Sequence, residues 1–230
     1  MGQVYALPHA YPDSKGEKMN YLEIINKCLL ELNYRQVNSF SELVKNDHKR
    51  IKTIINIVNR EVCGAYNWNF LLRKAELAIP PDTVEVDNSI NGRILYLLID
   101  GQKYEYSDDV ETFLTGSGIE HAYSKYSDKL LFTKSDEQRT AQVLYYTENC
   151  AKNTNGNEKA EMTDATDTPI IPMPFAEQIL IYGTCLRLKA NPSYIRFSYW
   201  LSMYKEALAN LKSTSSIDAQ KAPFVRLFRQ

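Results

Sequence analysis

Residues 93–106, RILYLLIDGQKYEY, contain the strongest β-hairpin signal in the chain. The stretch 93–99, apolar from Ile94 onward, is followed by Asp100-Gly101 and then by the segment 102–106, which ends in Tyr104-Glu105-Tyr106. Asp-Gly is preferred in two-residue type I′ turns, because both central residues of such a turn adopt a positive φ. The stretch therefore predicts two antiparallel strands joined by a tight turn.

Short strand patterns extend this region in both directions along the chain. In each of them apolar and polar residues approach alternation, and turn residues or prolines separate one pattern from the next. The segments are 71–79, which Pro80-Pro81 ends, then 84–86, then 121–126 and 130–133 as a second hairpin around Ser127-Asp128, and finally 140–146. Six or so short strands within residues 70–147 predict a small antiparallel sandwich or barrel.

Helical periodicity replaces this alternation on the N-terminal side. Asn20, followed three residues later by Glu23, resembles a capping box. Apolar residues recur behind it at helical spacing, at Leu22, Ile25, Leu29 and Leu32. A second helix over about residues 48–66, capped by Asp47, is predicted from a longer stripe: Ile51, Ile55, Val58, Val62 and Ala65.

Two more helices are predicted on the C-terminal side. The stripe of the third helix is Phe175, Ile179, Tyr182 and Leu186. Asn191 and Pro192 suit the cap and the first position of a fourth helix, with the stripe Tyr194, Phe197, Leu201, Tyr204, Leu208 and Leu211. Each helix has one apolar stripe, so the simplest arrangement packs all four helices into one bundle.

The predicted fold class is α+β: a helical bundle from N- and C-terminal helix pairs with an inserted small antiparallel β-sandwich or barrel. Residues 148–168 contain five acidic residues, four Asn and few large apolar side chains, which predicts an exposed mobile loop. The predicted regions are an N-terminal arm (1–18), the helical bundle (19–69 and 169–212), the β insertion (70–147), the mobile acidic loop (148–168) and a C-terminal docking tail (213–230).

Composition excludes several classes of protein. The 230 residues include 27 Lys and Arg against 28 Asp and Glu, a net charge of −1, which excludes a globally basic nucleic-acid binder. The apolar run 94–99 is far shorter than the ~20 residues that span a bilayer, so no membrane partner is predicted. Residues 1–18 lack a signal-peptide apolar stretch, so reduced thiols are expected at Cys28, Cys63, Cys150 and Cys185.

A search for catalytic and metal-binding motifs gives a negative result. The histidines, His9, His48 and His121, lie outside any zinc spacing, and no glycine-rich phosphate-binding motif occurs. Cysteines within apolar helix stripes are typical of inert thiols. The sequence therefore predicts neither catalytic residues nor a bound metal or cofactor.

Three groups of residues are candidates for binding or for structural contacts. Trp68 and Phe70 are interpreted as core residues at a helix–sheet junction, with ligand stacking as the alternative. A basic face at the start of the second helix is either solvated or meets an acidic partner or DNA; it consists of Lys45, Lys49, Arg50 and Lys52. A tail segment either docks in a partner's groove or folds back on the chain's own core; it consists of Phe224, Val225, Arg226, Leu227, Phe228 and Arg229.

Several of these features together resemble a known family. They are the helix with Leu22-x-x-Ile25, the Ser-containing connector, the long second helix and the exit into strands at Trp68-Asn69-Phe70. Tyr145-Tyr146 at the end of the last strand and the entry Pro169-Ile170-Ile171-Pro172 into a helix pair match as well. Over about residues 19–212 the chain resembles the head-to-tail adaptors of short-tailed phages, the neck proteins of the tail tubular protein A type.

The resemblance implies a structural protein without enzymatic activity. Such adaptors form a ring, usually of twelve copies, that binds the portal on one side and downstream tail, nozzle or ring proteins on the other. Genomic DNA passes through the ring without sequence-specific binding. The implied location is the neck of the virion, after assembly in the host cytoplasm, and the implied partner of Phe224 to Arg229 is the portal.

A second reading comes from the high tyrosine content. The chain has 16 Tyr against 8 Phe, and tyrosine suits surfaces on which the ring is buried while the hydroxyl finds a polar partner. This composition also fits a ligand- or glycan-binding module, or a tail component that attaches a fibre. A glycan module is expected as a compact monomer or trimer, whereas an adaptor is expected to form rings only on a portal.

Overall fold

The computed structural model describes residues 18–116 and 119–219, which belong to two compact units. One unit combines the described residues before Cys63 with those after Asn149, and the other runs from Cys63 to Asn149. The α-helices of the described residues are α1 (Tyr21–Glu31), α2 (Asn46–Gly64), α3 (Val110–Leu114), α4 (Phe175–Leu188) and α5 (Phe197–Ala219).

The strands of the two units form separate sheets. In the second unit they are β1 (Leu72–Ile79), β2 (Glu85–Asp87), β3 (Gly92–Ile99), β4 (Gln102–Tyr106), β5 (Ala122–Tyr126), β6 (Lys129–Phe132) and β7 (Arg139–Thr147). In the first unit they are β8 (Ala151–Lys152), β9 (Glu158–Lys159) and β10 (Thr168–Pro169).

The predicted capping box of α1 is confirmed. The side chain of Asn20 accepts a hydrogen bond from the Glu23 amide at 3.0 Å, and the Asn20 amide donates to the Glu23 carboxylate at 2.8 Å. These two bonds satisfy backbone and side-chain groups that a helix start otherwise leaves to water. Ile25 and Leu29 on the predicted stripe are fully buried.

The long stripe of α2 is confirmed as far as Val62, whereas Ala65 is exposed and lies beyond the end of the helix at Gly64. Ile51, Ile55 and Val58 are completely buried, although the helix begins at Asn46, two residues before the predicted start. Val58 lies against Gly183 of α4: a Cβ added to Gly183 would come within 2.9 Å of both Val58 Cγ1 and the ring of Tyr204 on α5. A glycine is therefore needed on α4 for this close approach.

The fourth predicted helix differs from α5 in its ends and in its buried face. Helix α5 begins at Phe197 rather than at Pro192, because turn-type bonds (Tyr194 N to Asn191 O, Phe197 N to Tyr194 O) occupy the chain before it. It continues past residue 212, where the tail was expected to begin. The buried face contains Trp200, Ala207 and Leu211, and the large area of the Trp200 ring decides which side faces inward.

The main sheet has seven strands in the order β1-β7-β3-β4-β5-β6-β2. All neighbours are antiparallel except β4 and β5, which pair in parallel. The predicted hairpin is confirmed as β3 and β4, with Asp100 at φ 50° and Gly101 at φ 78°, as a type I′ turn requires. The second predicted hairpin is confirmed as β5 and β6, joined through Ser127 and Asp128.

The predicted architecture, a helical bundle with a small inserted sandwich or barrel, is wrong. The chain is α+β, but its main feature is one curled seven-stranded sheet that resembles half a barrel, with β1 and β2 as its two open edges. Alternation along a strand identifies the strand and does not identify its neighbours. Here the connection through α3 places β5 parallel to β4, and β2 pairs with the distant β6, so the strands form neither a closed barrel nor two stacked sheets.

The main apolar core of the sheet is formed by side chains that alternate along the strands. Its fully or nearly fully buried members are Leu77, Ile79, Leu97, Ile99, Leu130, Phe132, Ala141 and Val143. A smaller cluster forms between α3 and the strands that follow it, from Phe113, Ala122 and Leu131. Strands β5 and β6 therefore contribute to two apolar clusters, whereas β1 and β3 also carry exposed side chains.

Residues 148–168, expected as an exposed acidic loop, form a hydrogen-bonded segment instead. Strand β8 pairs with both β9 and β10, and Met162 and Asp167 are each only 1% exposed. The backbone amides of Tyr21 and Leu22 at the start of α1 donate to the carbonyl oxygens of Asp167 and Ala165. The prediction from polar composition is wrong, because hydrogen bonds between side chains and the backbone order this segment although few of its residues are large and apolar.

The Asp167 carboxylate organises this segment. It accepts hydrogen bonds from the Thr163 amide at 2.7 Å, the Asp164 amide at 2.8 Å and the Lys159 ammonium at 2.8 Å. Burial alone would raise the pKa of Asp167, but these bonds outweigh burial and lower the pKa below that of an ordinary aspartate. The ionised form is therefore the one that stabilises the fold.

Replacing Asp167 by asparagine is expected to lower the free energy of unfolding at neutral pH by about 1–3 kcal/mol, because buried charge-assisted bonds are lost. Since the folded-state pKa lies below the unfolded value, this contribution is present above the pKa of an unfolded aspartate (about 3.9) and disappears as the pH falls through the lowered pKa. Urea titrations from neutral to acid pH measure the convergence of the two proteins.

Asp164→Asn is the matched control for this variant, because the Asp164 side chain also bonds Lys159, at 3.1 Å, but is 72% exposed. Its effect is expected to stay below about 1 kcal/mol. An Asp167→Asn protein whose deficit stays constant into acid would show that the ionised carboxylate is not the stabilising group.

Candidate interaction surfaces

Large apolar and aromatic side chains are exposed on three neighbouring strands of the main sheet. On β3, Leu95 and Tyr96 are 51% and 37% exposed; on β4, Tyr106 is 59% exposed; and on β5, Tyr126 is 56% exposed. We call these four residues the aromatic row. Single exposed apolar residues are ordinary on protein surfaces, but these four lie on three adjacent strands. The strand pairings place Tyr106 on the same face as Tyr123, and Tyr126 on the opposite face of the sheet.

Local geometry explains why these side chains are not buried in the sheet's own core. The register between β3 and β7 shifts between Ile94 and Tyr96, and the shift places Leu95 in a bulge. Bulges redirect a side chain away from the regular alternation. Tyr106 contacts the buried Tyr123 edge to face at 5.7 Å, which fixes the base of its ring while most of it stays exposed.

Basic side chains lie over two aromatic rings of the same sheet. The Lys103 ammonium is 5.7 Å from the centre of the Tyr96 ring, and the Arg93 guanidinium is 5.5 Å from the centre of the Tyr146 ring. Both arrangements are cation–π contacts, and the Lys103 ammonium also forms an ion pair with the Glu105 carboxylate. The aromatic row is therefore bordered at Tyr96 by a Lys–Glu pair rather than by a free cation.

The predicted basic face lies at the first turns of α2. Lys45 immediately precedes the helix, and Lys49 and Arg50 are exposed within it. Lys52 is half-buried, with its ammonium 4.4 Å from the centre of the Phe40 ring. The four residues are thus close in sequence and on one helix start, but Lys52 packs on an aromatic ring rather than projecting freely.

Trp68 and Phe70 stand at the entry to β1. Their rings stack with centroids 5.6 Å apart, and Tyr66 meets Trp68 edge to face at 5.1 Å. Trp68 is fully buried and Phe70 half-buried. Contacts of this kind are typical of structural anchors.

The predicted docking segment, Phe224 to Arg229, lies outside the described residues, as does nearly all of the N-terminal arm. The tail therefore stays a prediction from sequence.

The titratable groups of the described residues form no metal cluster. No group of three or more His, Cys, Asp and Glu side chains within residues 18–116 and 119–219 is placed to hold an ion. All four cysteines are buried thiols, and burial followed by contact with Cys185 raises the pKa of the Cys28 thiol well above its usual range. A thiol with a raised pKa carries little thiolate and is a poor nucleophile.

No helix in the described part of the chain is both long enough and apolar enough to cross a lipid bilayer.

The sequence interpretation missed the aromatic row. Tyr96, Tyr106 and Tyr126 lie in segments that it correctly identified as strands, and it noted the excess of tyrosine without locating it. The missing information is the face of each residue, which depends on the bulge in β3 and on the parallel pairing of β5.

Comparison with known proteins gives no assignment: no protein-family model matches the chain, and no curated protein matches its sequence. The resemblance to phage neck adaptors therefore rests on the sequence features quoted above.

Proposed function

We propose that the chain is a structural virion protein, a head-to-tail adaptor in the neck of a short-tailed phage. In this role it has no enzymatic activity and forms a ring with copies of itself, about twelve by resemblance to the adaptor family. The ring binds the portal on one side and downstream tail or nozzle proteins on the other, and genomic DNA passes through it. Assembly takes place in the host cytoplasm.

The observation that carries this proposal is the aromatic row on β3, β4 and β5. An adaptor ring needs extensive contacts with protein neighbours, and protein interfaces are enriched in tyrosine and depleted in acidic residues at their centres. Tyr106 and Tyr126 are each more than half exposed, and the backbone of each belongs to a regular strand, β4 for Tyr106 and β5 for Tyr126. Rigid, half-exposed tyrosines provide contact area at a small cost in conformational entropy.

The direct test mixes the purified chain with the portal protein encoded in the same genome. Mass photometry is expected to find the chain monomeric alone, and cryo-electron imaging is expected to find a ring of it on the portal. Failure of the chain to bind the portal under conditions in which both proteins are folded would contradict the proposal.

The double variant Tyr106→Ser with Tyr126→Ser tests the part played by the aromatic row. It is expected to keep its far-ultraviolet circular dichroism and to weaken ring assembly about tenfold or more, since truncating central aromatic residues commonly costs about 1–3 kcal/mol each. Lys125→Ser, an exposed neighbour on β5, is the control and is expected to assemble normally. Unchanged assembly of the double variant would exclude the row as an interface.

The exposed tyrosines also favour a second candidate, a glycan-binding or fibre-attachment component of the tail, because aromatic rings stack on sugar faces. The same experiments separate the two. The second candidate would be favoured by a compact monomer or trimer that does not bind the portal but is retarded on an immobilised glycan. The Tyr106→Ser variant would then no longer be retarded.

A further inference from the structure

Strand β1 has a long free edge. It spans eight residues, Leu72–Ile79, and stands at one end of the sheet order, where β7 is its neighbour. The strand at the other end, β2, has only three residues, and its Asp87 carbonyl accepts a bond from the Ser89 amide at 3.1 Å. Short edge strands resist pairing with other chains, whereas a long free edge can accept a further strand.

The hydrogen bonds around β7 show which backbone groups of β1 point to the free edge. The Glu148 amide, directly after β7, donates to the Asn91 carbonyl beside β3, so the even-numbered residues of β7 face β3 and the odd-numbered ones face β1. The register pairs Tyr145 of β7 with Arg73, so the odd-numbered residues of β1 bond β7. The even-numbered residues therefore point their amides and carbonyls to the free edge: Leu72, Lys74, Glu76 and Ala78.

This free edge is limited at both ends. The Leu72 carbonyl accepts a bond from the Arg73 guanidinium at 2.8 Å, which agrees with its outward direction. Pro80, directly after the strand, has no amide hydrogen to donate. Between these ends, the amides and carbonyls of Lys74, Glu76 and Ala78 have no backbone partner among residues 18–116 and 119–219.

The side chains of the same three residues lie on the exposed face of the strand. Lys74, Glu76 and Ala78 are exposed, while Leu77 and Ile79 point to the opposite face and are buried in the main apolar core. The Lys74 ammonium and the Glu76 carboxylate form an ion pair across 3.6 Å. Because this pair is open to solvent, both charges can also act on a strand placed against the edge.

Charge favours one register when this edge meets the same edge of a second copy. In an antiparallel pair centred on Ala75, Lys74 of each copy lies opposite Glu76 of the other, and Leu72 lies opposite Ala78. Moving the centre by one residue places Lys74 opposite Lys74 or Glu76 opposite Glu76. Opposite charges across a strand pair stabilise it and like charges destabilise it, so β1 is self-complementary in the register centred on Ala75.

We propose that β1 pairs with β1 of a second copy, antiparallel and in this register, to form a two-fold dimer of the free chain. The amides of Lys74 and Glu76 then donate to the carbonyls of the residues opposite them, and the two sheets become continuous. A two-fold contact joins two copies and does not extend into a ring. The inference therefore goes beyond the proposed adaptor function and describes the chain before a ring forms.

The interface is small, so the dimer is expected at micromolar concentrations and above, and a monomer at the nanomolar concentrations of mass photometry. Sedimentation-velocity ultracentrifugation of the full chain between about 1 µM and 500 µM tests this expectation. The sedimentation coefficient is expected to rise from that of a monomer to that of a dimer. A monomer at every concentration would overturn the proposal and leave the edge for a strand of a different protein.

Charge reversal tests the register. Lys74→Glu alone and Glu76→Lys alone are each expected to weaken the dimer about tenfold or more, because like charges then face each other at two positions. An equimolar mixture of the two variants is expected to dimerise again, because each acid of one variant then faces a lysine of the other. A mixture that stays monomeric while the unaltered chain dimerises would overturn the proposal.

The strand β4 provides a matched control. Lys103 and Glu105 form the same kind of ion pair two residues apart, but β4 lies between β3 and β5 and has no free edge. Lys103→Glu and Glu105→Lys are expected to change the dissociation constant by less than about twofold. Equal weakening of the dimer by these variants and by the β1 variants would overturn the assignment to β1.

Amide hydrogen exchange locates the contact independently of charge. The amides of Lys74 and Glu76 are expected to exchange more slowly in the dimer, since they become hydrogen-bonded donors. The amide of Arg73, which faces β7, is expected to change little. A dimer in which the Lys74 and Glu76 amides exchange as fast as in the monomer would overturn the proposal.

Discussion

Replacing Trp200 by alanine is expected to lower the free energy of unfolding of the helical unit by about 3–5 kcal/mol, a large part of the stability of an ordinary domain. Trp200 is completely buried, and its ring stacks on Tyr194 with centroids 5.3 Å apart. Its indole Nε1 donates to the Glu31 carboxylate at 2.9 Å. The substitution removes the largest buried side chain of α5 and leaves that carboxylate with one donor fewer.

The chain offers a convenient way to measure this effect. Trp68 is the only other tryptophan, and it lies in the second unit, so its fluorescence in the variant reports on the unit that contains the main sheet. Circular dichroism in the far ultraviolet reports mainly on the helices. A urea titration is expected to show an earlier loss of helix signal.

Ile195→Ala is the matched control for this substitution. Ile195 is an apolar residue near the same end of α5, but it is 91% exposed, so its truncation is expected to change stability by less than about 0.5 kcal/mol. Trp200→Phe separates packing from hydrogen bonding, because it keeps an aromatic ring and removes the donor. A Trp200→Ala protein as stable as the Ile195→Ala protein would refute the assigned role of the ring.

Local features of the fold could be predicted because they depend on residues close together in the chain. Asn20 and Glu23 cap α1 through bonds across three residues, and Asp100-Gly101 sets a turn through its own backbone preferences. The stripe of Ile51, Ile55 and Val58 needs only the helical period. Each of these predictions holds in the structure.

Long-range features could not be predicted in the same way. The order of the sheet depends on which strands meet, and the pairing of β2 with β6 joins residues more than forty positions apart, as between Asp87 and Lys129. The buried face of α5 depends on what α1 offers, here the carboxylate of Glu31 for Trp200. The ordered segment 148–168 depends on the lysine and amides around Asp167, which composition does not reveal.

The candidate sites show the same difference between local features, which could be predicted, and long-range features, which could not. The basic residues at the start of α2 were visible as a cluster in the sequence, because they are consecutive or one turn apart. The burial of His48 among these exposed residues was not visible, since it depends on how the chain folds around the helix start. The aromatic row was not predicted for a similar reason, because its exposure depends on a bulge in β3 and on the parallel pairing of β4 with β5.

Deleting residues 223–230 is expected to leave a folded protein that no longer joins portal-bearing heads. This prediction rests on the proposed adaptor function and on sequence alone, because the segment lies outside the described residues. Phe224, Leu227 and Phe228 are large apolar residues in an otherwise polar stretch, and Arg226 and Arg229 lie beside them. Such a segment suits an apolar groove bordered by acidic residues on a partner.

The free energies of burial and of ordering explain why so short a segment can determine assembly. Burying one Phe side chain supplies roughly 1.5–3 kcal/mol, against about 1–2 kcal/mol for ordering each backbone residue, so a single tail binds weakly. In a ring the tails act together, and each bound copy raises the effective concentration of the next, so loss of the segment removes this avidity from every copy at once. Recruitment is measured by counting copies per head after purification of the particles.

Matched variants separate the apolar from the basic contribution of the tail. Phe224→Ser with Phe228→Ser is expected to reproduce the deletion, because it removes the two largest anchors. Arg226→Gln with Arg229→Gln is expected to slow association and to make it less sensitive to salt, since peripheral charges act mainly on the rate of encounter. Heads that recruit the truncated chain at full stoichiometry would place the docking surface on the folded part of the chain, where the aromatic row is the first region to mutate.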